Sequence, residues 1–277
     1  MPEACIAKQC SHLHEANAEI FYNADIRERF LIESNELDIM SKFMSFIGEV
    51  KENIKNTYNT NTLRFDKPEG FDFKPGQFVT MQFIDEDGNP EKTARSFTMS
   101  SSPDDNFIDI TVKREGVMSG RMCGASPGEK LKFSGPFGNF VFISNPEKHH
   151  VFLAGGSGVT PFRCFMRFAN QNKLADKMTL FYSNKTEKDI IFKDEFEKLA
   201  SENENISNIF TLTRDAENAE WKENIGRIEK ELLQKNLENI HNTIFYICGS
   251  KDFVNRMLDI MKEMQIKPEN IKTERWN

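Results

Sequence analysis

Hydrophobic and polar positions change rhythm along this chain. From about residue 42 the apolar residues alternate over short runs: Val79, Met81 and Phe83 share one face with Thr80 and Gln82 on the other, and Ile108, Ile110 and Val112 alternate with Asp109, Thr111 and Lys113. Gly, Pro, Asn and Asp clusters at 67–70, 74–76, 85–90, 102–104, 126–128 and 135–136 separate these runs. Short strands at such spacing predict an antiparallel β-barrel or sandwich over residues 42–145. After Pro146 the rhythm switches to buried strands alternating with helical periodicity. Strands are expected at 151–154, 178–183, 207–213 and 243–248, with helices at about 161–172, 189–201, 227–240 and 251–265. That alternation predicts an α/β domain over 146–277, a parallel sheet with helices on both faces. In its last helix Phe253, Met257, Ile260, Met261 and Met264 form one apolar stripe, read as core. Residues 1–41 are read as a polar extension in which Glu15 to Met40 are expected to be helical in part, either packed on the body or used as a partner-binding arm.

The junction between strand and helix at 151–161 carries the first candidate chemistry. Val151 to Ala154 run into Gly155-Gly156-Ser157-Gly158-Val159-Thr160-Pro161, and Phe162, Phe165, Met166 and Ala169 follow at helical spacing. Thr160 is expected as the N-cap and Pro161 at the first helical position. Glycines placed before free helix N–H groups make a cradle for a phosphate or pyrophosphate. The ordinary dinucleotide fingerprint would have a third glycine at Pro161 and an acid after the next strand, which here ends in Asn184-Lys185. Arg214 and Cys248-Gly249-Ser250 would also lie at the carboxyl ends of the strands, where such sheets bind nucleotides.

Composition narrows the function classes. With 277 residues, 38% hydrophobic and 29% charged, the chain has room for two soluble cores, and no run approaches the length of a membrane span. No basic start and apolar core opens the sequence, so no secretory segment is expected. A net charge of −7 argues against nucleic acid as the main partner. Five scattered cysteines fit a reducing, cytoplasmic setting, and Cys5 and Cys10 supply only the first pair of a plant-type two-iron cluster. Cys5, Cys10, His12 and His14 match no standard zinc spacing, and no metal site is expected.

Several motifs in fixed order carry a family resemblance. Gly156-Ser-Gly-Val-Thr-Pro161, Arg95-Ser96-Phe97-Thr98, Val112-Lys113-Arg-Glu-Gly116-Val-Met118-Ser119 and Gly135-Pro-Phe-Gly-Asn-Phe140 together resemble the ferredoxin–NADP reductase superfamily. So do Tyr182-Ser-Asn184-Lys185, Leu212-Thr-Arg214-Asp215 with Trp221, Gly226-Arg227, Cys248-Gly249-Ser250 and Lys272-Thr-Glu274-Arg-Trp276. Phe97 stands where the family has Tyr, Ser250 where Pro is commoner, and Trp276 where Phe or Tyr is usual. The resemblance covers about residues 42–277. It implies a flavin-binding barrel followed by a nucleotide-binding α/β domain, without a fused iron–sulfur domain.

By that resemblance Arg95 pairs with the flavin pyrophosphate, Phe97 packs on the isoalloxazine and the Thr98 region hydrogen-bonds its edge. Val112 to Ser119 would follow the ribityl chain and pyrophosphate, with Gly116 permitting the turn, and Lys113 adding positive charge to an acidic protein. Gly155, Gly156, Gly158, Thr160, Pro161, Asn184, Lys185, Arg214, Arg227, Cys248 and Gly249 are assigned to the nicotinamide nucleotide. Cys248, Thr98, Glu274 and Trp276 are expected where nicotinamide meets flavin. FAD is expected ahead of FMN. NADPH is favoured over NADH, because Lys185, Arg214 and Arg227 could meet a 2′-phosphate. The implied activity takes hydride from NAD(P)H and passes single electrons to a soluble acceptor, a ferredoxin-like protein or an oxygenase component. The alternative is a flavin electron-transfer subunit permanently docked in a larger complex.

Overall fold

The computed structural model describes residues 43–214 and 221–276. Two sheets of six strands each organise them. The first holds β1 (Met44–Thr57), β2 (Thr60–Asp66), β3 (Phe78–Phe83), β4 (Arg95–Thr98), β5 (Phe107–Lys113) and β6 (Lys130–Phe137), with helix α1 (Val117–Cys123) after β5. Its order is β4-β3-β6-β1-β2-β5, antiparallel throughout. The two free edges approach each other just beyond β4. There Met99 bridges Ile110, and the Ser100 N–H donates to the Asp109 carbonyl at 2.9 Å. The sheet therefore curls into a nearly closed barrel. Alternation puts Val79, Met81, Phe83, Ile108, Ile110 and Val112 inside, with Leu63, Phe65 and Phe133. Along β5 the opposite face is buried as well, since Asp109 and Thr111 turn toward the second sheet's first helix and the cavity described below.

The second sheet holds β7 (His149–Gly155), β8 (Lys177–Asn184), β9 (Ile206–Leu212), β10 (Asn224–Ile225), β11 (Thr243–Ser250) and β12 (Ile271–Trp276). Its order is β10-β9-β8-β7-β11-β12, and all neighbours are parallel. Helices α2 (Thr160–Gln171) and α3 (Lys193–Glu202) accompany one face through Phe162, Phe165, Met166, Phe196 and Leu199. Helices α4 (Lys230–Asn236) and α5 (Lys251–Glu263) cover the other through Leu233, Val254, Met257 and Met261. Strand order reverses between β7 and β11, so their carboxyl ends flank a switch point of the kind where open α/β sheets bind ligands. Phe140 and Phe142, at the junction, pack against Phe165 with ring centroids 6.0 and 5.7 Å apart.

The antiparallel barrel and parallel α/β sheet match the sequence expectation, while two helices differ. The helix expected from 189 begins at Lys193, because Phe192 takes a left-handed conformation (φ 62°) after a 3-10 turn at Glu187–Asp189. The helix expected over 227–240 is only Lys230–Asn236. Asn239 accepts the Asn242 N–H, and its carbonyl accepts the Thr243 hydroxyl, so local side-chain bonding takes over from the helical ladder. Along α5 the stripe is core except Phe253, which is half-buried over the strand tips.

Candidate active site

Between the barrel wall and the start of α2 lies a cavity of about 750 Å³. Strand β4 contributes Arg95, Ser96, Phe97 and Thr98; β5 contributes Thr111, Val112 and Lys113; and the α1 turn contributes Gly116, Val117, Met118, Ser119 and Arg121. From the glycine loop across the cavity come Ser157 and Thr160. Burial deepens along β4: Arg95 and Ser96 are exposed, Phe97 is half-buried against the barrel core, and Thr98 is buried.

The wall is cationic in an acidic protein. Three cations, Arg95, Lys113 and Arg121, stand against two carboxylates, Glu91 and Glu115. Lys113 pairs with Glu115 at 2.8 Å and Arg121 with Glu91 at 2.6 Å. Arg95 pairs with no carboxylate among the described residues, and donates only to the neighbouring Ala94 carbonyl at 2.8 Å. An unpaired guanidinium beside an apolar ring, in a cavity within the range of cofactor pockets, fits an aromatic ligand carrying phosphate.

The α1 turn is held from within by Ser119 and does not depend on Gly116 as expected. The Ser119 hydroxyl accepts from the Glu115 and Gly116 N–H groups at 3.0 and 2.9 Å and contacts the Gly116 carbonyl, so it shapes the turn from within. Gly116 has extended backbone (φ −162°), and its nearest neighbour to an added Cβ is 4.0 Å away. The turn does not need a glycine there.

The glycine loop stands at the carboxyl end of β7. Gly155 closes the strand, a 3-10 turn spans Gly156–Val159, and α2 continues without a break. Thr160 is therefore not an N-cap: Val159 takes that place in helical conformation, and the Thr160 hydroxyl donates back to the Ser157 carbonyl at 2.7 Å. Pro161 follows at the second helical position. Gly156 is left-handed (φ 53°), and its carbonyl accepts the Tyr182 hydroxyl at 2.9 Å. Burial pushes the Tyr182 phenol up, so it stays a donor. Gly155 and Gly249 lie against the Phe253 ring, where an added Cβ on either would come within 2.9 Å of it.

Other residues assigned to the nucleotide gather along the carboxyl ends of the strands, outside the cavity. Asn184 is buried at the end of β8, and neither polar atom of its side-chain amide has a hydrogen-bond partner among the described residues. Lys185, Arg214 and Arg227 are exposed and form no ion pair among the described residues. The Arg214 N–H donates to the Lys185 carbonyl at 2.9 Å, and Arg227 follows β10, which pairs with β9 just before Arg214.

Of the four residues expected at the meeting of two cofactors, Thr98 lines the cavity. Cys248 and Glu274 are register partners on β11 and β12 and do not line it. Burial, with Glu274 adding to it, pushes the Cys248 thiol well above its ordinary range, so it is neutral. Burial pushes the Glu274 carboxyl up to about 7, and its Oε2 is enclosed with no hydrogen-bond partner among the described residues. The backbone of Trp276 pairs with Ser250; its side chain lies outside the described residues, as do Cys5, Cys10, His12, His14 and Asp215.

Sequence reasoning missed part of the wall. The Arg121 guanidinium lies 3.6 Å over the Phe83 ring while pairing with Glu91, three residues from separate segments. Thr93, Thr111, Val117 and Ser157 were also unassigned, although Ser157 sits inside the glycine motif.

The two sheets in this order define a class: a flavin-type barrel joined to a nucleotide-type α/β domain. Residues 48–142 match the oxidoreductase FAD-binding domain and residues 152–259 the oxidoreductase NAD-binding domain. The chain belongs to the ferredoxin–NADP reductase-like family of oxidoreductases. It is 30% identical over 217 residues to the glycine betaine monooxygenase reductase subunit of Pseudomonas aeruginosa, covering 76% of this chain and 58% of that one. It is 34% identical over 217 residues to an NADH-cytochrome b5 reductase 2 of Botryotinia fuckeliana, covering 75% and 61%. The chain thus spans less than two thirds of either relative. The FAD/NAD-binding domain of a Vibrio cholerae nitric oxide dioxygenase shares the fold, with a TM-score of 0.73 at 18% identity, covering 83% of this chain and 98% of that one. Among the described residues no helix is long and apolar enough to cross a membrane.

Proposed function

We propose that this chain is an FAD-dependent NAD(P)H oxidoreductase that passes electrons singly to a separate acceptor, a ferredoxin-like protein or an oxygenase component. One observation carries the reading: Ser157 and Thr160 of the glycine loop share a cavity with the Arg95-to-Thr98 strand. A flavin held by the barrel and a nicotinamide held by the loop would then meet at one wall. Residues 42–145 serve as the flavin domain and 146–277 as the nucleotide domain.

A bound flavin supplies the conversion between two-electron and one-electron transfer. The chain's own groups bind, orient and exclude water. Arg95 holds pyrophosphate, Phe97 covers the ring and Thr98 meets its edge; Val112, Lys113, Gly116, Met118 and Ser119 form the wall along the rest of the cofactor. The buried Asn184 and the exposed Lys185, Arg214 and Arg227, which form no ion pair among the described residues, receive the nucleotide, and the charge of the three cations favours NADPH. Glu274 is a protonated donor below about pH 7, set beside the neutral Cys248 thiol.

The reductase-subunit name of the Pseudomonas relative supports an oxygenase component as acceptor. Cys123, Cys164 and Cys248 as free thiols support a reducing, cytoplasmic setting. Reconstitution of the purified chain with FAD or FMN, followed by turnover with NADPH and a small artificial acceptor, tests the activity. Tighter FAD binding with turnover of the isolated chain is expected. Flavin binding without turnover would favour a subunit that works only when docked.

A further inference from the structure

A chain of buried and half-buried charges ties the barrel to α2, and it is anchored one turn after the glycine loop. Arg163, 6% exposed, lies three residues beyond Thr160. Its Nη1 donates to Asp109 on β5 at 3.0 Å and reaches the carbonyl and hydroxyl of Ser100, each at 3.4 Å. Its Nε donates to Glu195 on α3 at 2.7 Å, and the Phe192 ring lies 4.4 Å from Cζ. Asp109 is fully buried and is also gripped by Arg64 at 2.8 and 3.1 Å. One turn further along α2, Arg167 meets Asp105 at 2.9 Å and Glu195 at 2.8 Å. Three arginines thus meet Asp109, Glu195 and Asp105, and Arg64 reaches a fourth carboxylate, Glu52, at 3.7 Å.

Arg163 differs from the others in what it joins. Ser100 follows β4 by two residues, and its hydroxyl lies 2.8 Å from that of Thr111, which lines the cavity. A single guanidinium, carried by α2 one turn after Thr160 and the 3-10 turn that holds Ser157, therefore touches both edges of the barrel's open seam. Its planar fork fixes direction as well as distance, which a lysine ammonium would not. Buried ion pairs add little net stability, because desolvation offsets their attraction, and a fixed geometry is what such a network can supply.

We propose that Arg163 is a positioning residue for hydride transfer, holding the glycine loop at a set spacing and angle from the Arg95-to-Thr98 wall. This rests on the function proposed above. In the step concerned, a hydride with its electron pair leaves the nicotinamide, oxidising the nucleotide, and the flavin accepts it, gaining two electrons. Small errors of alignment penalise such a step far more than they penalise binding of either partner. Arg167 and Asp105, a turn further from the loop, hold the helix without setting the alignment.

The test compares Arg163→Lys and Arg163→Met with Asp105→Asn in the full FAD-loaded chain. Flavin affinity is read by fluorescence quenching, nucleotide affinity and limiting rate from rapid-mixing reduction, and loop order from hydrogen exchange at Gly156–Val159. The Arg163 variants should lose about ten- to hundredfold in limiting rate, with both affinities changed less than about threefold, and exchange in the loop should quicken. Asp105→Asn should lower the melting temperature and keep the limiting rate. An unchanged rate in the Arg163 variants, or an equal loss in Asp105→Asn, would overturn the proposal. Should Arg163→Met fail to fold, Arg163→Lys decides. If neither nucleotide reduces the wild-type flavin, the hydride reading falls by itself. Loop exchange then judges Arg163: quickening only in its variants supports the tie to the loop, and no difference from Asp105→Asn overturns it.

Discussion

A first side-chain carbon on Gly158 would be driven into the backbone carbonyl of Cys248. The obstacle is backbone on a central strand, which cannot rotate away as a flexible side chain would. Gly158 is thus what lets the loop lie against the tip of β11, at the sheet's switch point. Gly158→Ala should destabilise the protein by about 1–3 kcal/mol, the cost of forcing atoms into a packed interior. It should also slow flavin reduction by displacing the loop. Thermal melts with rapid-mixing reduction check both, and a wild-type melt would show that the loop yields freely.

Arg95 forms no ion pair among the described residues, so removing it orphans no buried carboxylate. Arg95→Ala should keep its melting temperature without cofactor and lose flavin affinity. A charge-assisted contact to phosphate is worth about 1.5–3 kcal/mol, or roughly ten- to hundredfold in Kd. Fluorescence titration with FAD measures this, and unchanged retention would remove Arg95 from the site.

The proposed preference for NADPH rests on exposed cations. Arg214→Ala should raise KM for NADPH by about tenfold, equivalent to about 1.4 kcal/mol, and change KM for NADH little. Exposed arginines on loops are common as solvated charges. A wild-type preference for NADH, with no change in Arg214→Ala, would assign Arg214 to that role.

Glu274 makes stability depend on pH. Its carboxyl is pushed up to about 7 by burial, so the native state holds a proton that the unfolded chain has released above the ordinary carboxylate range. Between that range and about pH 7 the native state binds more protons, and stability contributed by this group falls as pH rises. Glu274→Gln, uncharged throughout, should therefore gain in melting temperature relative to wild type as pH is raised from 5 to about 8. A gap that stays constant with pH would place the carboxylate in water.

Contiguous signals were legible in the sequence, and convergent ones were not. Alternation along Val79 to Phe83 and Ile108 to Val112 exposes the barrel because every second residue must enter one core. Arg95 to Thr98 and, apart from Arg114, Val112 to Ser119 line the cavity because each segment supplies its residues in one short run. The contact of Phe83, Arg121 and Glu91 draws on three segments, and nothing in any of them marks the others. Arg163 reads in sequence as one more residue of an amphipathic helix; its role depends on Asp109 and Ser100, brought opposite it by closure of the barrel. The overlong helix expected over 227–240 reflects apolar spacing that continues past Asn236 while the backbone does not.

The central claim is that the barrel and the glycine loop present flavin and nicotinamide to each other. Anaerobic mixing of the FAD-loaded chain with NADPH or NADH, followed by absorbance, tests it most directly. Bleaching of the bound flavin by at least one nucleotide, with a rate that saturates with nucleotide concentration and is lowered in Gly158→Ala, is the predicted result. A flavin that stays oxidised with both nucleotides while remaining bound would contradict the account.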